Sequence, residues 1–186
     1  MTLTPTDAGW IEVICGSMFS GKTEELIRRI RRAEIAKMNT VIFKPKIDDR
    51  YSSNHVVSHN QSKLESRLVS TAAEIIDQSE GMDVIGIDEA QFFTEEIVDV
   101  CKTLAQNNKR VVVAGLDTDY RGNPFGPMPQ LMCEADYLDK FRAICVQCGN
   151  PASCSQRTTS DSEQVVIGET DVYEARCRNC FEAPEE

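Results

Sequence analysis

Short apolar runs alternate with amphipathic segments from Trp10 to about Arg142. The apolar runs predict β-strands at 10–15, 40–44, 83–87, 110–115 and 138–144. The segments with apolar residues at helical spacing predict helices at 23–38, 71–78 and 95–107. Strands that alternate with helices are typical of a parallel sheet covered on both faces. The pattern therefore predicts an α/β fold.

The first predicted helix shows how such a face is built. Its apolar residues should pack on the sheet, namely Leu26, Ile27, Ile30 and Ala33. Its arginines should point largely outward, namely Arg28, Arg29, Arg31 and Arg32. A run of this kind fits either a solvated helix face at a subunit contact or a nucleic-acid patch, and we favour the solvated face.

A polar segment at 47–68 interrupts the alternation. It contains short β-like pieces, such as the one at 55–58, and predicts a flap or hairpin. No internal repeat is visible along the chain. The acidic residues at 182–186 predict a frayed tail.

Length and charge narrow the class of protein. The 186 residues allow one domain of ordinary size and a small additional unit, which would need a metal or a cross-link for stability. The net charge of −10 argues against a nucleic-acid surface, which needs clustered cations. No window approaches the roughly 20 apolar residues of a membrane span. The segment Met1–Gly9 lacks a secretory pattern, so the expected location is the cytoplasm.

A phosphate-binding loop directly follows the first predicted strand. The sequence matches G-x-x-x-x-G-K-[ST] at Gly16, Ser17, Met18, Phe19, Ser20, Gly21, Lys22 and Thr23. Glycines in such a loop let backbone N–H groups turn toward phosphate oxygens at a helix N-terminus. Lys22 should reach the terminal phosphates, and Thr23 should offer its hydroxyl to Mg²⁺. The motif predicts binding of a nucleoside triphosphate with magnesium.

An acidic pair ends the strand predicted at 83–87. Asp88 fits the magnesium-associated acid of a phosphate-loop enzyme, although an acid here could also cap a helix. Glu89 can accept a proton from the group that attacks the terminal phosphate. If water attacks, the protein is an ATPase, and if a substrate hydroxyl attacks, it is a kinase. The dipeptide alone leaves both open.

The eight cysteines divide into two groups. Four stand singly, at Cys15, Cys101, Cys133 and Cys154, and are expected to be small buried or partly buried thiols. The other four form two C-x-x-C pairs, at Cys145, Cys148, Cys177 and Cys180. Two such pairs supply the four ligands of a tetrahedral structural Zn²⁺ site. The alternative is a redox dithiol or disulfide pair.

The segment at 149–176 lies between the cysteine pairs and is too polar to bury itself. A metal that clamps both of its ends would make it a plausible lid over a site. The predicted organisation is an ATP-binding α/β domain at 1–142, a zinc-binding domain at 143–181 and a tail at 182–186.

Together these motifs resemble thymidine kinases of the zinc-containing, cytosolic type (type II). The resemblance also includes Asp48-Asp49-Arg50-Tyr51-Ser52-Ser53, Asp88-Glu89-Ala90-Gln91-Phe92-Phe93 and the stretch 115–126. It covers Gly9 to Cys180. It is specific because several independent motifs occur in order at compatible spacing. It implies a RecA-like phosphate-loop sheet with a small C-terminal zinc-ribbon or lasso domain.

The resemblance implies transfer of the γ-phosphoryl group of ATP to the 5′-hydroxyl of thymidine in the salvage route to DNA precursors. Glu89 matches the family's general base, and Asp88 matches the acid on the magnesium side. The resemblance adds further residues to the phosphate and magnesium site, namely Asp48, Arg50 and Gln91. These roles agree with an in-line transfer, which needs a positioned hydroxyl, a proton acceptor and cations.

The resemblance also implies a nucleoside pocket. Its walls would be Met18, Phe92, Leu116, Tyr120 and Phe125, with Tyr173 closing it. The base edge would be held mainly by backbone groups of Gln164, Val165, Val166, Ile167 and Gly168, with Ser155 as a further contact. Aromatic faces suit a flat pyrimidine. Without the resemblance, the phenylalanines would be interpreted as core residues.

Family members form homotetramers and are inhibited by thymidine triphosphate (dTTP), so the resemblance implies both properties here. Two other classes of function remain open. One is a RecA-like ATPase that remodels nucleic acid, which the net charge disfavours. The other is a zinc-ribbon binding module that uses nucleotide for switching. What stimulates ADP release, a nucleoside, a polynucleotide or a protein, distinguishes the three.

Overall fold

The computed structural model describes residues 8–46, 55–57, 63–159 and 172–183. Its strands are β1 (Trp10–Gly16), β2 (Thr40–Pro45), β3 (His55–Val57), β4 (Lys63–Glu65), β5 (Arg67–Val69), β6 (Val84–Ile87), β7 (Arg110–Gly115), β8 (Tyr137–Phe141), β9 (Ala143–Ile144), β10 (Pro151–Ala152), β11 (Cys154–Arg157) and β12 (Tyr173–Arg176). Its α-helices are α1 (Lys22–Ile35), α2 (Ala73–Asp77), α3 (Glu96–Gln106) and α4 (Met128–Glu134). A 3₁₀ turn covers Ala90–Phe92.

Six strands form one all-parallel sheet in the order β5-β2-β6-β7-β1-β8. Strand β1 lies between β7 and the edge strand β8, with Val13 opposite both Val113 and Leu138. All carboxyl ends of a parallel sheet meet at one edge, where ligands bind in α/β proteins. The segments that follow β1, β6 and β7 therefore converge on one region.

Both faces of the sheet are covered, which confirms the predicted α/β fold. Helix α1 covers one face with the four apolar side chains that its spacing predicted, Leu26, Ile27, Ile30 and Ala33. The other face packs against α2, α3 and α4 around a core that includes Val13, Phe43 and Ile97. No helix within the described ranges combines the length and apolarity that a bilayer crossing requires.

The elements differ from the prediction in three places. The strand predicted at 138–144 is split, because the chain leaves the sheet after Phe141 and pairs again as β9 with β10. Helix α4 was not predicted, because its seven residues are too few to show a helical period. Part of the segment predicted as a flap forms the antiparallel pair β3–β4, as expected, but it continues into edge strand β5.

A buried ionic cluster joins α1 to the sheet. Glu12 is 6% exposed and accepts hydrogen bonds from Trp10, Arg29 and Arg110. The prediction that Arg29 points outward is therefore wrong, because its guanidinium lies over the sheet between Glu12 and Asp139. Burial acts to raise the pKa of Glu12, but the hydrogen bonds, the largest from Arg110, outweigh it and lower that pKa.

We expect Glu12→Gln to lower the free energy of unfolding by about 2 kcal/mol, because two partly buried guanidinium groups lose the carboxylate that they share, while Arg29 keeps Glu25 and Asp139 as partners. The native carboxylate contributes stability above its ordinary pKa of 4.5, and this is lost as the pH falls through the lower folded pKa. Urea unfolding from pH 7 to pH 3 measures both effects. The wild type should lose more stability with acid than the variant, whereas exposed Glu80→Gln should match the wild type.

A small C-terminal unit, which we define as β9–β12 with the two cysteine pairs, packs beside the carboxyl edge of the sheet. It contains two antiparallel ribbons, β9–β10 and β11–β12. Its apolar core consists of Ala143, Cys145, Ala152, Ala175 and Cys177. The sheet with its helices and this small unit match the predicted fold class, while the domain boundaries at 142 and 181 stay a prediction.

Candidate active site

The loop after β1 has the conformation of a phosphate-binding loop. Gly16, Phe19 and Gly21 have positive φ angles of 142°, 61° and 87°. Alternation between negative and positive φ angles directs successive backbone N–H groups into one concavity, which suits an anion. Gly16 is required at its position because a Cβ there would lie 2.3 Å from the carbonyl oxygen of Phe141. The loop leads into α1, which has no side-chain cap at Gly21, so its N-terminus stays available to a ligand.

Lys22 folds back over this loop. Its Nζ donates a hydrogen bond of 2.7 Å to the carbonyl oxygen of Ser17, which also accepts one from Ser20 Oγ. Burial lowers the pKa of Lys22, while the carboxylates of Glu89, Asp88 and Asp117 oppose this effect. A cation held among carboxylates in a buried site is well placed to receive phosphate groups.

Asp88 lies at the carboxyl end of β6, beside the start of α1. It is 2% exposed, and its Oδ1 lies 3.5 Å from Thr23 Oγ1. Burial first, and then repulsion by Glu89, raises the pKa of Asp88 to about 7. Lys44 of β2 partly offsets this, with its Nζ 3.9 Å from Asp88 Oδ2. The acid and the hydroxyl supply two oxygen donors at one point of the site.

Glu89 follows in an unusual backbone conformation, with φ 55° and ψ 40°. A left-handed conformation costs a residue with a side chain about 1–2 kcal/mol, and such residues cluster at functional sites. The carboxylate of Glu89 accepts a hydrogen bond of 2.6 Å from Gln91 Nε2. The other end of the same amide accepts a hydrogen bond of 3.0 Å from the backbone N–H of Leu116. Gln91 therefore joins Glu89 to the segment that follows β7.

That segment, residues 116–126, packs an aromatic side chain against the turn that follows Glu89. Phe125 meets Phe92 edge to face, with ring centroids 5.5 Å apart. Close packing fixes the segment, because a Cβ at Gly126 would lie 2.4 Å from the carbonyl oxygen of Gln91. The nucleoside-wall residues Phe92, Leu116, Tyr120 and Phe125 thus stand on the turn or loop next to Glu89, and Tyr120 and Phe125 are buried.

The small C-terminal unit contacts the phosphate-binding loop directly. The backbone N–H of Met18 donates a hydrogen bond of 3.0 Å to Ser155 Oγ. Ser17 Oγ donates a longer one, 3.4 Å, to the carbonyl oxygen of Ala152. Phe19, which has a positive φ angle, packs against the core of the unit. The shape of the loop therefore depends on the unit beside it.

The four paired cysteines form one cluster, as their spacing predicted. All four Sγ atoms lie within 4.8 Å of one another, and Cys148 and Cys177 are 3.6 Å apart. A disulfide needs about 2.05 Å, whereas tetrahedral Zn–S bonds of about 2.3 Å separate two sulfurs by about 3.8 Å. All four thiols are free. The cluster suggests a structural metal.

The thiols of this cluster influence one another. Burial opposes ionisation of Cys145, but backbone hydrogen bonds, the largest from Cys177, lower its pKa to about 6. Hydrogen bonds from the thiols of Cys148 and Cys177 raise the pKa of Cys180 to about 12. Hydrogen bonds also lower the pKa of Cys177 against the effect of burial, so Cys180 is the thiol whose pKa its neighbours raise. Full ionisation of the cluster needs the charge of a cation.

Several predicted site residues lie outside the described residues, namely Asp48, Arg50, Gln164, Val165, Val166, Ile167 and Gly168. Most of the tail predicted at 182–186 lies outside them too. Tyr173 is described and is buried in β12. The structure brings the remaining predicted residues to one edge of the sheet, except that Ser155, Tyr173 and the cysteine cluster lie in the small C-terminal unit beside that edge.

Sequence reasoning missed three charged residues near the site. Lys44 could have been found, because it ends a strand predicted beside the acidic pair. Asp117 is 5% exposed, and its Oδ2 forms an ion pair with Lys140 Nζ at 2.6 Å. Its Oδ1 has no hydrogen-bond partner among the described residues. Arg157 contacts two of the predicted pocket tyrosines. No sequence pattern indicated either of these last two contacts.

This arrangement suits transfer of a phosphoryl group to an acceptor other than bulk water. An anion-binding loop, a lysine and two oxygen donors can hold a triphosphate and its metal. A carboxylate tied to an aromatic-lined segment can accept a proton from a bound hydroxyl.

All of the comparisons with known proteins indicate similarity to thymidine kinases. A family model described as "Thymidine kinase" matches residues 9–181. The thymidine kinase of Rhodothermus sp. (strain ITI 518) is 57% identical over 176 residues, which cover 95% of this chain and 83% of that protein. The thymidine kinase of Bacteroides thetaiotaomicron is 56% identical over 173 residues, which cover 93% of this chain and 87% of that protein. The thymidine kinase of Bacteroides fragilis (strain ATCC 25285) is 54% identical over 174 residues, which cover 94% and 87%.

Proposed function

The chain belongs to the thymidine kinase family and is an ATP-dependent phosphotransferase, and from this premise we propose that Glu89 is its general base. The reaction transfers the γ-phosphoryl group of ATP to the 5′-hydroxyl of thymidine. The observation that carries the proposal is the bridge through Gln91, which joins the carboxylate of Glu89 to Leu116 of the nucleoside side. A base held in this way is directed at the acceptor and away from bulk water.

The triphosphate would bind at the loop Gly16–Thr23. Backbone N–H groups of the loop would surround the phosphates, and Lys22 would exchange its contact with Ser17 for phosphate oxygens. Thr23 and Asp88 fit a Mg²⁺ ion, because they offer the oxygen donors that this ion prefers. When bound, the ion neutralises charge on the β- and γ-phosphates.

Thymidine would bind between the phosphate-binding loop and the segment 116–126. Met18 stands on the loop, and Phe92, Tyr120 and Phe125 supply aromatic surface that suits a pyrimidine ring. Glu89 would accept the proton of the 5′-hydroxyl as that oxygen attacks the γ-phosphorus and the bond to the β-phosphate oxygen breaks. The products are thymidine monophosphate and ADP.

The cysteine cluster would hold Zn²⁺. Four thiolates leave no open ligand position, so the ion would be structural and take no part in phosphoryl transfer. The homotetramer, inhibition by dTTP and the cytoplasmic location are carried by the family resemblance. Asp48, Arg50 and the backbone groups of 164–168 belong to the proposed site on the same ground.

The decisive test is magnesium-ATP turnover with one addition at a time. Thymidine should stimulate ADP release strongly, whereas other nucleosides and single-stranded DNA should not. Stimulation by DNA alone would favour the remodelling ATPase and would turn the small C-terminal unit into a strand-binding element. Turnover that is independent of every addition would indicate hydrolysis by water.

Gln91 provides a further prediction, because its amide orients Glu89. We expect Gln91→Ala to lower kcat by about 10- to 100-fold, since a base misplaced by about 1 Å loses this much. ATP binding should change little if Gln91 acts on Glu89, and it should fall if Gln91 binds phosphate. Steady-state kinetics together with equilibrium ATP binding separate these roles. Unchanged kcat would remove the orienting role.

A further inference from the structure

Arg157 contacts two aromatic rings that come from separate parts of the chain. Its Cζ lies 3.5 Å from the ring centroid of Tyr120 and 5.4 Å from that of Tyr173. Its Nη2 donates a hydrogen bond of 2.8 Å to the hydroxyl of Tyr173. Tyr120 lies in the segment after β7, and Arg157 lies in β11. The guanidinium therefore joins the sheet side of the site to the small C-terminal unit.

The backbone holds the origin of this side chain in place. Arg157 pairs directly with Tyr173 across the ribbon β11–β12. Beyond this pair, Thr158 donates both its N–H and its hydroxyl to the carbonyl oxygen of Val172, at 2.9 and 3.0 Å. The side chain of Arg157 thus starts from a fixed position in the ribbon, and the rings that it contacts orient the plane of its guanidinium group.

All three side chains are shielded from water. Arg157 is 7% exposed, Tyr120 is 5% exposed and Tyr173 is 8% exposed. A cation over an aromatic face is attracted more strongly where water is excluded. A planar guanidinium can stack on one ring while it donates to the hydroxyl of another, which a lysine ammonium cannot do. The contact therefore restricts how both tyrosine rings turn.

We propose that Arg157 is a positioning residue for thymidine, because it fixes the planes of Tyr120 and Tyr173 before the nucleoside binds. The inference rests on the proposed function, in which both tyrosines form walls of the nucleoside pocket. A wall that is already ordered spares the entropy of ordering it on binding. The loss of Arg157 should therefore raise the KM for thymidine and leave the triphosphate side unaffected.

Arg121 offers a matched control. Its guanidinium lies 5.2 Å from the same Tyr120 ring, and its Nε donates a hydrogen bond of 2.9 Å to the Tyr120 hydroxyl. Unlike Arg157, Arg121 is exposed and follows Tyr120 directly in the chain. This contact with Tyr120 is therefore weakened by water, and it joins two neighbouring residues of one segment.

The experiment compares Arg157→Met, Arg157→Lys and Arg121→Met as full-length, metal-loaded proteins. For Arg157→Met we expect the KM for thymidine to rise about tenfold or more, with the KM for ATP within about twofold of wild type and kcat within about threefold. Arg157→Lys should lie between Arg157→Met and wild type. Arg121→Met should match wild type. An unchanged KM for thymidine, or a parallel rise of both KM values, would overturn the proposal.

A double-mutant cycle tests the mechanism even if Arg157→Met folds poorly. Tyr173→Phe keeps the ring and removes only the acceptor of the Arg157 hydrogen bond. Its effect on the thymidine KM should shrink in the Arg157→Lys background, because the two side chains act through one contact. Fully additive effects would refute the shared contact. Wild-type turnover without thymidine dependence would instead refute the proposed function itself.

Discussion

Glu89→Gln is expected to lower kcat about a thousandfold while ATP binding stays close to wild type. Glutamine has nearly the same shape as glutamate, and its amide oxygen can still accept the hydrogen bond that Gln91 donates. The variant therefore keeps the bridge to Leu116 and loses only the capacity to accept a proton. Turnover of magnesium-ATP with thymidine measures the loss, and equilibrium binding of ATP measures what is retained.

The size of this effect distinguishes a base from a group that merely neutralises charge. Asp77→Asn is the control, because Asp77 is exposed at the end of α2 and undergoes the same change of charge. It should match the wild type. Near-normal turnover in Glu89→Gln would remove Glu89 from the chemistry. A parallel loss of ATP binding would move its role to the triphosphate.

Removal of the metal from the cysteine cluster is expected to reduce activity at least about a hundredfold, since structural metal sites supply much of the folding energy of small units. The reason lies in the contacts of the phosphate-binding loop. Met18 donates to Ser155 Oγ, and Phe19 packs against the core that contains Cys145 and Cys177. Loss of order in the small C-terminal unit should therefore weaken ATP binding even when thymidine is absent.

Cys177→Ser and chelation provide independent tests of this expectation. Cys133→Ser is the matched control, because Cys133 lies outside the cluster and is exposed, contrary to the buried or partly buried thiol that we predicted there. Metal content, melting temperature and ATP affinity should fall together in Cys177→Ser and stay at wild-type values in Cys133→Ser. If metal-free protein binds ATP with normal affinity and loses only its affinity for thymidine, then the small C-terminal unit supports the nucleoside site and not the ATP site.

The sequence predicted the fold where the physical signal was local. Buried parallel strands appear as continuous apolar runs, so β1, β2, β6 and β7 were found close to their observed bounds. Strand β5 was missed because its three residues are too short and too polar to show a period. The split after Phe141 was missed because a chain that turns from one sheet into another can keep the same apolar pattern.

The site residues divide in the same way. Some belong to short motifs, and others make contacts between positions that are far apart in sequence. The phosphate-binding loop, the acidic pair and the cysteine pairs are short motifs. Each occupies the position relative to the adjacent strands or turns that the sequence predicted. The contact of Gln91 with Leu116 spans 25 positions and exists only because the segment after β7 folds back. The contacts of Arg157 and the burial of Arg29 depend likewise on how separate elements pack. Such contacts leave no pattern in a single sequence.

The position of β1 inside the sheet has a consequence for how the protein is made. Strand β1 leaves the ribosome well before its edge partner β8, which follows more than a hundred positions later, with the N–H of Ile11 bonded to Asp136. Pairings this distant in sequence form slowly, and until then one edge of β1 offers free backbone groups to other chains. We expect nascent or truncated chains that end before residue 137 to aggregate. The ATP site would be among the last parts to assemble, because its loop still awaits Ser155 after β8 has docked.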